Sequence, residues 1–125
     1  MDTITLRVPS SKREKLQLLI DTGAEISIVK GKSLKPGTNY EPTKGIYMKG
    51  MSNALITNEG TVTLKLLTSS HETTHSFHIM GENFDCQYDE ILGQDFWINK
   101  RANINYCDRK ITMGEVTINL DDDTE

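Results

Sequence analysis

Runs in which apolar and polar residues alternate recur along this chain, and a period of two commits them to half-buried strands: Ile4, Leu6 and Val8, then Ile26 and Ile28, then Val62, Leu64 and Leu66, then Phe77 and Ile79. Turn formers cluster between the runs, at residues 9–11, 35–39, 50–53, 58–60 and 81–83, and divide the chain into hairpins. One helix of barely two turns is predicted over 94–102, where Phe96, Trp97 and Ile98 stand beside Asn99, Lys100 and Arg101. A parallel α/β sheet needs repeated crossover helices and is thereby excluded. Residues 104–106, 111–113 and 116–120 read as closing strands, so the class is all-β.

A chain of 125 residues with 36% hydrophobic and 26% charged residues has room for one packed core and not for two. The run 121–125 holds four acids in five positions and nothing to bury, so the domain is expected over 1–120 with 121–125 as an acidic tail or linker. No stretch reaches the roughly 20 apolar residues of a membrane span, and the first ten lack a signal-peptide pattern. No membrane partner is expected. With 14 Lys and Arg against 18 Asp and Glu, the net charge is −4 and no basic stripe stands out, so direct nucleic-acid binding is not expected either. Cys86 and Cys107 belong to no CxxC or Cys/His cluster, which removes zinc ribbons, iron–sulfur centres and disulfide-rich scaffolds and leaves one optional disulfide. Few cysteines and no targeting signal point to the cytoplasm or an intracellular particle.

The chemistry concentrates at Leu18-Leu19-Ile20-Asp21-Thr22-Gly23-Ala24-Glu25-Ile26-Ser27-Ile28-Val29, where an apolar strand delivers one carboxylate, a small hydroxyl and a glycine before a second apolar strand begins. A carboxylate between two buried strands is costly unless something pairs with it or uses it. One structural reason exists, since Asp-Thr-Gly also makes an ordinary hairpin turn. The trio arises by chance in roughly one in forty chains of this length. Its context is more telling: a second element, Glu90-Ile91-Leu92-Gly93-Gln94-Asp95-Phe96-Trp97, carries an apolar pair into a glycine at the start of the candidate helix.

On these two motifs, Leu19-Ile20-Asp21-Thr22-Gly23-Ala24 and Ile91-Leu92-Gly93-Gln94-Asp95-Phe96, the chain resembles the retropepsin-like aspartic proteases, most closely those of gypsy-type LTR retrotransposons, over roughly positions 3 to 120. The resemblance implies a small closed β-barrel with one short C-terminal helix, one lobe per chain. It also implies an aspartic endopeptidase that processes a retroelement polyprotein, with no metal and no other cofactor. Carboxylate-only hydrolysis of a peptide bond needs one ionised and one protonated carboxyl close together. This chain has a single Asp-Thr-Gly, and the family's one-lobed members supply the second from another copy. A twofold homodimer with Asp21 of each subunit on the axis is therefore implied. The chain ends, residues 2–6 and 116–120, would interleave at that axis.

By the same resemblance Thr22 hydrogen-bonds across the axis, while Gly23 and Ala24 keep the approach to the carboxylates narrow. Glu25 either holds substrate main chain or faces solvent. Ser27 is expected to make a local backbone hydrogen bond. Residues 45–60 stand where the family carries its flap, with Gly50, Met51, Ser52 and Asn53 near the tip and Tyr47, Met48 and Leu55 on the arms to meet substrate. Viral flaps have more glycine at the tip, and a plain surface hairpin is the alternative. Three histidines, His71, His75 and His78, share one short window, but His75 and His78 differ in strand parity and so face opposite ways, against a shared metal. Both cysteines read as small, partly buried thiols, and Trp97 as a core anchor or a border of the dimer.

Two rivals remain to the cleaving dimer. One is a retropepsin-fold module that dimerises or grips peptide without cutting it. The other is an unrelated β domain in which Asp-Thr-Gly is only a turn.

Overall fold

The computed structural model describes residues 2–49, 55–81 and 87–122, with side chains described for 2–42, 58–81 and 87–122. Among the described residues ten strands and one α-helix follow in chain order, with a 3-10 turn at Gly31–Ser33: β1 (Thr3–Arg7), β2 (Lys15–Ile20), β3 (Ile28–Lys30), β4 (Glu41–Lys49), β5 (Leu55–Leu67), β6 (Glu72–Met80), β7 (Glu90–Leu92), α1 (Gln94–Asn99), β8 (Asn103–Asn105), β9 (Lys110–Met113) and β10 (Val116–Asn119). Neighbours in the main sheet run β1-β2-β7-β3-β6-β5, and pairing of Arg7 with Leu67 brings β5 back to β1. Six strands thus close a barrel, and β4 extends from β5 as an added arm. The all-β class holds. Two of the pairings, β2 with β7 and β3 with β6, are nevertheless parallel, made by long excursions of chain rather than by crossover helices.

The alternation in the sequence maps onto the burial in three of its four runs; in the fourth, Ile26 and Ile28 are only half-buried and Ser27 and Val29 are the residues turned inward. Ile4, Leu6 and Val8 of the first run, Val62, Leu64 and Leu66 of β5, and Phe77 and Ile79 of β6 all enter the core. Several readings shift. The closing strands β8, β9 and β10 do not close the barrel but make a separate three-stranded sheet, whose Ile111 and Ile118 pack into the same core. Residues 58–60 do not end a hairpin. The long strand β5 runs through them as an irregularity between Asn58 and Gly60, where the Asn58 Oδ1 accepts the Gly60 N–H at 3.1 Å. The helix stops at Asn99 instead of 102, because Arg101 adopts a positive φ of 51° and the Ala102 N–H turns back to the Trp97 carbonyl. Cys107 is exposed rather than partly buried, and Cys86 lies outside the described residues. Asp121, first of the acidic run, accepts hydrogen bonds from the hydroxyls of Thr3 and Thr5, and its N–H donates to the Thr3 carbonyl.

One acid is placed where the alternation gives no reason for it. Glu90 opens β7 between Leu18 of β2 and Val29 of β3 and is fully buried. Its Oε1 accepts from the Ser11 hydroxyl at 3.0 Å, while Oε2 has no hydrogen-bond partner among the described residues. Burial pushes the carboxyl up to about 7, against the lowering effect of the Ser11 bond and with some help from the nearby Asp89 charge. The folded chain therefore keeps a proton that the unfolded chain gives up. Stability is fully present below the unfolded value and is lost as pH rises towards and through 7, by roughly 3 kcal/mol in total. The Glu90→Gln variant is expected to lose this slope in urea denaturation and to exceed the wild type only at the alkaline end; equal slopes for the two proteins would refute it.

Candidate active site

Asp21 stands at the mouth of β2, where the strand ends and the chain must turn. Its N–H donates to the Leu92 carbonyl at 3.0 Å, so the ladder between β2 and β7, which pairs Leu19 with Ile91 and Ile20 with Leu92, continues by one more bond to the acid. The turn then closes on itself as the Ala24 N–H donates to the Asp21 carbonyl at 3.2 Å. The Gly23 N–H donates to Asp21 Oδ1 at 3.0 Å, which fixes the direction of the half-buried carboxylate. Thr22, Gly23 and Glu25 are exposed around it, and Ala24 is half-buried.

The second motif lies directly against this loop. Gly93 follows Ile91 and Leu92 and has no room for a side chain, since a Cβ there would stand 2.4 Å from the Ile26 carbonyl oxygen and 2.9 Å from that of Ala24. Absence of the Cβ lets the two backbones touch. The N–H groups that open α1 are then spent on the loop: Gln94 N–H on the Ala24 carbonyl at 2.7 Å and Asp95 N–H on that of Glu25 at 3.2 Å. The Gln94 side chain adds a third bond, from Nε2 to the Thr22 carbonyl at 2.6 Å. On the inner side, Trp97 Nε1 donates to the Leu92 carbonyl at 2.8 Å and, with Phe96, anchors the helix in the core.

The far end of the loop has its own fastening, which sequence reasoning missed. Ser27 is fully buried, and its hydroxyl donates to Asp95 Oδ1 at 2.6 Å and accepts the Gly93 N–H at 3.0 Å. Its backbone N–H donates to Asp95 Oδ2 at 3.0 Å. The hydroxyl thus joins segments some seventy residues apart, instead of making the local bond expected of it. His75 Nε2 completes the cluster at 3.1 Å from Ser27 Oγ and 3.3 Å from Asp95 Oδ2. Burial holds its pKa below the usual histidine value, opposed by the charge of Asp95 and its hydrogen bond and aided by Lys100. His78, on the opposite face of β6, instead meets the Asn58 amide at 3.0 Å. Among the described residues no group of three or more His, Cys, Asp and Glu could hold a metal ion.

Asp21, Thr22, Gly23 and Ala24 are therefore brought together with Ile91, Leu92 and Gly93. The hairpin of β4 and β5 pairs Tyr47 with Thr57, Met48 with Ile56 and Lys49 with Leu55. Gly50, Met51, Ser52 and Asn53 lie outside the described residues, as do the side chains of Tyr47, Met48 and Leu55.

Known proteins resemble this chain in sequence and in fold. The profile of the family described as retroviral aspartyl protease matches residues 3–105. Over 82 residues, 66% of the chain, the sequence is 37% identical to the retrovirus-related Pol polyprotein from transposon 412 of Drosophila melanogaster. The match takes in only 6% of that polyprotein. Among solved structures, the retroviral protease-like domain of Ddi1 from Leishmania major superposes with a TM-score of 0.72 at 11% identity, covering 100% of this chain and 98% of that one. The EIAV protease, solved with the inhibitor HBY-793, gives a TM-score of 0.58 at 18% identity, covering 82% and 90%.

Proposed function

Because the chain belongs to the retroviral aspartyl protease family, we propose that it is an aspartic endopeptidase, active as a homodimer, that cleaves extended segments of a retroelement polyprotein. The observation that carries this reading is Asp21 at the end of β2, its carboxylate held by the Gly23 N–H and its loop clamped by the start of α1. One such carboxyl cannot be base and acid at once. With Asp21 of a second copy beside it, the two share a proton: the ionised one takes a proton from water, and the protonated one polarises the scissile carbonyl.

Thr22, exposed next to Asp21, would meet its counterpart across the axis. Gly23 and Ala24 leave the narrow space that two such loops need. The hairpin of β4 and β5 is the arm that would cover an extended peptide, with Tyr47, Met48 and Leu55 along it. Residues 1–120 form the protease domain in this reading, with 121–125 as an acidic tail or linker. The interleaving of chain ends needs refinement, since Ile4, Leu6, Ile118 and Leu120 are already buried within one chain. A partner would meet backbone edges there rather than free apolar side chains. Among the described residues no helix is long and apolar enough to cross a membrane.

Dilution tests the reading. Specific activity on an unfolded polypeptide is expected to fall as the enzyme is diluted through its association constant, in step with loss of dimer in analytical ultracentrifugation. Constant specific activity from a sedimenting monomer would overturn the shared site. A dimer that binds polypeptide and never cuts it would favour the non-cleaving module.

A further inference from the structure

We propose that His75 is a positioning residue for the Asp21 loop: its Nε2–H, donated to Ser27 and Asp95, holds the far end of the loop in the register that aims the carboxylate. The inference rests on the protease reading for its kinetic consequence and on geometry for the rest.

The proton on Nε2 follows from its neighbours. The Ser27 hydroxyl hydrogen is committed to Asp95 Oδ1 in a bond of 2.6 Å, so Ser27 Oγ offers only lone pairs to the imidazole nitrogen 3.1 Å away. Asp95 Oδ2, at 3.3 Å from the same nitrogen, offers only lone pairs as well. A bare Nε2 there would face two acceptors and gain nothing from either. The ring is also held in orientation, with Phe77 edge-on at 5.3 Å and Phe96 at 5.0 Å, both at 81°. Its side chain is only 8% exposed, so water replaces its donated bond poorly.

The chain of dependence then runs to the loop. Asp95 is the sole acceptor of two Ser27 donors, O–H and N–H, and the Gly93 N–H in turn needs Ser27 Oγ. Shifting Ser27 therefore shifts both the exit of the Asp21 loop and the glycine packed against Ala24 and Ile26. Without a donor at position 75, Asp95 keeps only its two Ser27 bonds, on a side chain already 31% exposed, and the cluster is held less tightly in register. Lys100 is the competing cation: it reaches the Thr74 carbonyl at 3.3 Å and lies over the Phe96 ring.

Two variants separate positioning from packing. His75→Leu fills the space with no donor, and His75→Gln restores an N–H of similar reach. The measurements are kcat and KM for a cleaved peptide, together with amide hydrogen exchange of Gly93 and Ser27. For His75→Leu a fall in kcat of about tenfold is expected with KM changed less than about threefold, and exchange at both amides should speed up by a similar factor. His75→Gln should recover most of both. Equal losses in the two variants, or unchanged exchange and kcat in His75→Leu, would overturn the proposal. If the wild type cuts no substrate yet exchange responds as described and is rescued by Gln, the positioning role stands and it is the protease reading that fails.

Discussion

The Asp21→Asn variant is expected to fold as the wild type does and to lose cleavage by at least about a thousandfold. The two parts of this expectation rest on different atoms. Asn keeps the Oδ1 that accepts the Gly23 N–H at 3.0 Å, and the backbone bond from residue 21 to the Leu92 carbonyl does not involve the side chain. Asp21 is only half-buried and is not one of the core residues, so thermal unfolding should move little. What disappears is the ability to exchange a proton. An amide cannot take one from water, and a single remaining carboxyl cannot be base and acid together.

Mixing the variant with wild type makes the expectation sharper. If each chain carried a complete site, an equal mixture would retain the activity of its wild-type half. If the site is built from two Asp21 carboxyls, random exchange of subunits leaves about a quarter of the dimers with both, so activity per wild-type chain is halved. Measured as titration of wild type with increasing variant after subunit exchange, a curve that only dilutes the wild type would show the site to be complete within one chain.

How much of this was open to sequence reading differs from element to element. The strands β5 and β6 could be seen because each buries one face, and alternation such as Val62, Leu64 and Leu66 is the direct imprint of that burial. Asp21 and Gly93 were legible for another reason: each sits in a short contiguous motif, so neighbours in sequence are neighbours in space. The bulge at Asn58 and Gly60 was mistaken for a turn because both draw on the same residues, an Asx side chain that bonds the backbone two positions on and a glycine. Ile26 and Ile28 alternate as a strand would, yet β3 starts only at Ile28, since the Ala24 and Glu25 carbonyls before it are already used by the start of α1. The cluster of Ser27, His75 and Asp95 could not be read at all. Its members come from three separated segments, and each residue type taken alone has a commonplace explanation. Asp95 directly after Gly93-Gln94 was the signal nearest to hand, because a carboxylate in the first turn of a very short helix has backbone donors close by.

The Gly93→Ala variant is expected to lose stability and activity together, and the geometry says why they cannot be separated at this position. Gly93 has φ −91°, an ordinary value for any residue, so the requirement is for space and not for an unusual backbone. A Cβ would stand 2.4 Å from Ile26 O and 2.6 Å from Ile26 C, and backbone atoms of a clamped loop cannot swing aside as a side-chain tip can. Either the loop moves away from β7 or the start of α1 does. Each choice breaks the Gln94 N–H bond to Ala24 and weakens the Gly93 N–H bond to Ser27. Overpacking of about 3 kcal/mol is a fair magnitude, which lowers the unfolding temperature by on the order of 10 °C in a chain of this size. Gly23→Ala provides the contrast. Its Cβ would come no closer than 3.3 Å to Asp21 Oδ1, a side-chain atom that can yield by a few tenths of an ångström. Stability there should change by less than about 1 kcal/mol, while the turned carboxylate lowers kcat by about tenfold or more. Differential scanning calorimetry and peptide cleavage on both variants decide the matter. A Gly93→Ala protein that melts within about 2 °C of the wild type would mean that the contact between the two motifs is looser than these distances make it.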